Sequence, residues 1–164
     1  MSEILGTLFK YLVSLLGVAA VVLILYQVFG SNKTQNAISD ITLLQTNTQA
    51  LYNAQSTFTG ITNTVAVSGK LAPAGMMNGT ASTLLNPWGG ATTIAVNGTA
   101  TKFDITSVGV PQEACAKMAV SIGSVVTLAV NTVDVTMPVD AGNAVAKCNV
   151  ATAAGNTMLF TFSH

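Results

Sequence analysis

The sequence contains no arginine, and its six lysines are spread over the chain. A grip on nucleic acid needs clustered Lys or Arg to displace phosphate counterions, so no nucleic-acid binding is expected. Charged residues make up 7% of the chain, against about 25% in an ordinary soluble domain. Six acids balance the six lysines, so the formal net charge is zero. Little repulsion then opposes association. The one histidine is His164. The acids Glu3, Asp40, Asp104, Glu113, Asp134 and Asp140 are scattered, with no pair at a motif spacing. There is no P-loop and no Gly-x-Ser-x-Gly. Catalysis needs a general base, an activated nucleophile or a metal. No enzyme is expected, and neither a catalytic residue nor a cofactor is assigned. Proline is absent before Pro73, so none interrupts a helix in that stretch.

What the chain does have is a long uncharged run. The 19 residues from Tyr11 to Phe29 carry no charge, and about 20 such residues are needed to cross about 30 Å of hydrocarbon as a helix. Tyr11 and Tyr26 stand near its ends, where amphipathic rings are favoured. A transmembrane helix fits. So do a plain membrane anchor and a cleaved secretory signal, although Glu3 beside Lys10 and the lack of a small-x-small site speak against the signal. After Ser31 the composition turns polar, but a stripe continues through Ile38, Ile41, Leu44, Thr48, Leu51, Tyr52 and Gln55. Spacings of three and four mark one helix face. One helix is therefore expected from about Ile4 to Phe58, on the order of 80 Å long at 1.5 Å per residue. Gly17 and Gly30 each weaken a helix interior by roughly 1 kcal/mol against Ala, so they are candidate sites of bending or local melting.

Three regions follow: an apolar helix over 1–30, its amphipathic continuation over 31–59, and an α/β head over 60–164. In the head, Asn97-Gly98 between Thr93–Val96 and Thr101–Val108 predicts a hairpin with a type I′ turn. Asn78-Gly79-Thr80 is read as a loop. Pro111 with Glu113 opens a short helix through Ala119. Val125–Val130 and Val133–Met137 read as two strands with a turn near Asn131, and Thr157–Ser163 reads as a last strand. The fold class is α+β. Cys115 and Cys148 are expected to pair, as an even number of cysteines does in an exported head. Two buried free thiols or a metal site are the alternatives. The metal is disfavoured because two thiols and His164 do not complete a four-ligand shell. Closing this loop contributes about 4 kcal/mol in the chain-entropy model.

The order of these parts resembles the type IV pilins, and within them the type IVb group of bundle-forming pilins and pilins of thin conjugative pili. The resemblance is carried by Ser31-Asn32-Lys33-Thr34-Gln35-Asn36-Ala37-Ile38-Ser39, by Leu51-Tyr52-Asn53-Ala54-Gln55, by Phe58-Thr59-Gly60, by Asn86-Pro87-Trp88-Gly89-Gly90, and by Ala114-Cys115 with the later Cys148. It implies a long N-terminal helix packed on an antiparallel sheet. It also implies a subunit held in the bacterial inner membrane and then polymerised into an extracellular pilus for adhesion or conjugative mating contact. Its partners would be itself, the membrane, and an assembly machinery of prepilin peptidase, assembly ATPase and secretin. The family carries Glu at its fifth mature position, where this chain has Leu5 if Met1 is the mature, N-methylated start. Other readings are a monomeric membrane-tethered periplasmic binding domain, and a minor pilin or pseudopilin.

Glu3 and Lys10 stand alone as charges in the apolar segment. A charge near hydrocarbon is expected to find a partner. Seven residues apart, they share a helix face but are separated by roughly 10 Å along the axis. Lys10 of one subunit is therefore expected to meet Glu3 of a shifted neighbour, or Glu3 to meet that neighbour's Met1 amine, as a register device. The alternative is that both charges snorkel to the headgroups. Trp88, between Asn-Pro and Gly-Gly, is expected to pack a turn rather than stack on a ligand.

Overall fold

A computed structural model describes residues 2–78, 82–150 and 154–164, with the backbone alone for 2–5 and 26–29. Met1, the side chains of Glu3 and Tyr26, and Gly79-Thr80 of the expected loop lie outside the described residues.

The chain divides into two units, residues 1–33 and 34–164. Helix α1, Ser2–Tyr52, supplies the described residues of the first and the opening of the second. It ends at Tyr52, short of the expected Phe58, and Gln55 caps the following turn by donating its N–H to the Tyr52 carbonyl at 2.8 Å. Within the second unit, α1 buries Thr34, Ala37, Ile41, Leu44, Gln45, Thr48 and Tyr52. This is the expected stripe turned slightly toward its own start. Leu51 falls off it and is 49% exposed.

The head holds one six-stranded sheet in the order β1-β2-β3-β6-β4-β5, every pair antiparallel. The strands are β1 Leu84–Leu85, β2 Ala91–Val96, β3 Lys102–Val110, β4 Thr127–Val130, β5 Val133–Val135 and β6 Asn156–Ser163. The two-residue period puts Ile94, Phe103, Ile105, Met158, Phe160, Phe162, Leu128 and Val130 on one face, all buried. Thr93, Thr106, Leu159 and Ala129 follow one another across the other face. Aromatic rings link the helix end to the sheet: Tyr52 to Phe58 at 5.5 Å, Phe58 to Phe103 at 4.7 Å, and Phe103 to Phe162 at 5.5 Å between centroids. Asn47 of α1 donates to the Leu71 carbonyl at 2.8 Å, and Gln49 donates to that of Ser163.

Three helices complete the head: α2 Asn63–Ser68, α3 Gln112–Ser121 and α4 Ala141–Lys147, with a 3-10 turn at Ala74–Met76. Thr62 and Asp140 cap α2 and α4 by accepting backbone N–H bonds from Val65 and Asn143, each such cap contributing about 1 kcal/mol. Pro111 stands immediately before α3, with Glu113 in its first turn.

The hairpin turns differ from expectation. β2 and β3 do form a hairpin, but neither Asn97 nor Gly98 has a positive φ. The Asn97 carbonyl accepts the Ala100 N–H at 2.9 Å, and Ala100 takes the left-handed conformation at φ 43°. The Asn97 amide reaches both oxygens of Asp104 at 3.0 and 2.9 Å. That side-chain bonding holds the backbone in a longer loop, since Asn offers its own partners in competition with the tight turn. The two-residue turn with both φ positive occurs instead between β4 and β5, at Asn131 (52°) and Thr132 (68°).

Candidate assembly surface

In the first unit, the side chains described from Gly6 to Leu25 are all exposed. They include Leu8, Phe9, Leu12, Leu16, Val22 and Ile24. Burying one such side chain is worth about 1.5–3 kcal/mol, so leaving the segment in water forfeits on the order of tens of kcal/mol. A whole domain is stable by only about 5–15 kcal/mol. The segment is long and apolar enough to cross a membrane, and its residues require cover by lipid or by other helices. α1 runs through Gly17 and Gly30 without a break. Nothing lies within 4 Å of where a Cβ on either would stand, nor of one on Gly6. Small residues with open space beside them let a neighbouring helix approach closely. Lys10 is exposed on this segment.

The described residues of the head are held by three locks. Cys115 and Cys148 are joined, with Cα atoms 5.8 Å apart and both side chains fully buried. The bridge ties the first turn of α3 to the residue that ends α4, so the free-thiol and metal alternatives fall. A second lock is the Asn86-Pro87-Trp88-Gly89-Gly90 turn. The side-chain Oδ1 of the buried Asn86 accepts from the backbone N–H groups of Trp88 (3.1 Å) and Gly90 (2.9 Å). Its amide donates to Ser107 Oγ (3.0 Å) and the Val108 carbonyl (2.7 Å). This clamp sits on a bulge of β3 between Ser107 and Val110. Gly90 is required there, because a Cβ would stand 1.8 Å from the Val108 carbonyl oxygen. Trp88 packs half-buried against the core, as a turn-packing ring does.

A third lock joins the β4–β5 turn to β6. The Asn131 amide donates to Asn156 Oδ1 at 2.8 Å and to the Lys147 carbonyl at 3.2 Å, while its oxygen accepts the Thr157 N–H at 3.0 Å. Asn156, wholly buried, donates onward to the carbonyls of Val110 and Val150. A buried amide with its bonds made fixes a loop, and one left unmade costs about 1–3 kcal/mol. His164 stacks on Phe58 with centroids 4.2 Å apart. Among the described residues no group of three or more His, Cys, Asp or Glu is placed to hold a metal.

One acid was missed by sequence reasoning. Asp40 is half-buried on α1 within the second unit, and burial raises its carboxyl pKa above the ordinary range. The available signal was its isolation as the single charge between Lys33 and Lys70.

A long N-terminal helix whose second half packs on an antiparallel sheet, closed by a disulfide near the end of the head, defines the type IV pilin class. Two solved structures share the fold. One is the type IVb pilin from Salmonella typhi, with TM-score 0.63 and 22% identity over 78% of this chain and 98% of that one. The other is TcpA, a type IV pilin from Vibrio cholerae El Tor biotype, with TM-score 0.53 and 16% identity over 80% of this chain and 99% of that one. Curated protein sequences give no match. The Bundlin family model matches residues 29–163, and the chain belongs to that family of bundle-forming type IV pilins.

Proposed function

We propose that this chain is the major subunit of a type IVb pilus, polymerising through its N-terminal helix into a filament for adhesion or conjugative mating contact. The observation that carries the reading is the uncovered apolar segment from Gly6 to Leu25 on a chain of the Bundlin family. In this reading the segment is covered by bilayer in the inner membrane before assembly, and by other copies of itself in the extracellular pilus. Transfer between the two costs little, because lipid and bundled helices are similarly apolar. Prepilin peptidase, assembly ATPase and secretin belong to the same proposal, as does an N-methylated Met1.

Glu3 and Lys10 act here as a register pair between neighbours, with the Met1 amine as the other partner open to Glu3. Gly17 and Gly30 act as points where α1 yields during packing. The test is electron microscopy and mass spectrometry of sheared surface material. Filaments made mostly of this chain, with residues 1–30 retained, are expected. A chain that stays monomeric in detergent-free buffer, or occurs only as rare copies in filaments of another protein, defeats the reading. Replacing both Glu3 and Lys10 by Ala is expected to shorten the filaments, and normal lengths would remove the register role.

A further inference from the structure

Resting on the filament reading, a second register position follows from Asp40. Its carboxylate oxygens lie beside Gly75, where a Cβ would stand 3.6 and 3.7 Å from them. The carboxylate makes no hydrogen bond or ion pair with any described residue. A half-buried carboxylate without a partner is unfavourable in the lone chain. Lys33, seven residues earlier, is exposed and likewise makes no ion pair among the described residues.

Glu3, Lys10, Lys33 and Asp40 are the only charged side chains before Lys70. They form two opposite-sign pairs, each seven residues apart. Seven residues of α-helix rise about 10 Å and return to nearly the same face, so neither pair closes within one straight helix. Two parallel copies in register would set like charge against like at all four positions. Sliding one copy by seven residues sets its Glu3 against Lys10 of the first and its Lys33 against Asp40 of the first. The same seven-residue step serves each pair, although their signs run in opposite orders. We propose that Asp40 is the docking position for Lys33 of a neighbouring copy, and that the two pairs together select a single axial offset of about seven residues. Specificity of this kind works as much by rejecting the in-register arrangement as by favouring the shifted one.

The test uses cells making the full chain as wild type, Lys33→Asp, Asp40→Lys, and Lys33→Asp with Asp40→Lys. Each single reversal is expected to lower sheared filament yield about tenfold, the equivalent of about 1.4 kcal/mol. The double reversal is expected to return it close to wild type. Singles that polymerise normally, or a double no better than the singles, overturn the proposal. Should a variant fail to accumulate in the membrane, zero-length carbodiimide coupling of wild-type filaments decides. A covalent ladder containing a Lys33–Asp40 linked peptide is expected, and its absence, or Asp40 linked to Lys70, overturns the pairing. Wild-type cells without filaments would instead defeat the proposed function itself.

Discussion

Residues 6–25 and residues 34–52 belong to the same helix, yet they solve opposite problems. The first stretch exposes every described side chain; the second buries a face at intervals of three and four against the sheet. Helix propensity hardly separates them. What separates them is where their apolar atoms can go within one copy of the chain. The second stretch is satisfied inside its own fold, whereas the first remains unsatisfied until lipid or another copy covers it. The need for apolar cover from outside is thus confined to the first stretch.

The sharpest break in that contrast is Leu16→Lys. A charge near the middle of the apolar segment costs about 3 kcal/mol in a membrane, and in a filament the cost repeats in every subunit. Microscopy is expected to find no filaments, with the Cys115–Cys148 bridge still formed. Phe160→Ala should do the reverse. It removes a fully buried ring from the central strand and is expected to destabilise the head by about 3–5 kcal/mol, read by thermal unfolding. The Cys115→Ser, Cys148→Ser double variant is expected to lose about 2–4 kcal/mol by the same measure. Its helix should still partition into membranes. The smallest effect is Asp40→Asn. Burial raises the wild-type carboxyl pKa, so its protonated form is the better tolerated in the fold. Wild type therefore gains stability as pH falls through the raised value, while the Asn variant lacks that gain. At neutral pH the variant should unfold at the same temperature as wild type or slightly higher, with the gap closing in acid.

Much of this contrast was legible in the residues. An uncharged run long enough to span a bilayer needs no three-dimensional context, and neither does the pairing of Cys115 with Cys148. β2, β3, α3 and β6 were also readable, because alternation and an N-terminal proline are local signals. Leu51 was misplaced because the neighbouring Leu51 and Tyr52 were both put on the stripe, whereas the buried set through Ile41, Gln45, Thr48 and Tyr52 leaves Leu51 on its flank. α4 was missed since Ala141–Lys147 has no apolar period to detect; its start is set by the Asp140 cap. The turn near Asn131 was readable, but its geometry was not: two positive φ values were assigned to Asn97-Gly98 and occur at Asn131-Thr132, where the Asn131 side chain binds Asn156 and β6 across the fold. No neighbour in sequence reveals that partner. For the site, Glu3 and Lys10 stood out by isolation. Asp40 was isolated in the same way and passed over, because its surroundings read as an ordinary polar helix.

The position of β6 has a consequence for biogenesis. It follows every other element in the chain, yet it lies in the middle of the sheet, between β3 and β4. Until it arrives, β3 and β4 each present an open edge, and no strand pairing joins the two halves of the sheet. A product that stops before Asn156 lacks this closure and leaves both edges open to aggregation. Strand order thereby acts as a check on synthesis: only a chain that extends through β6 can close this sheet.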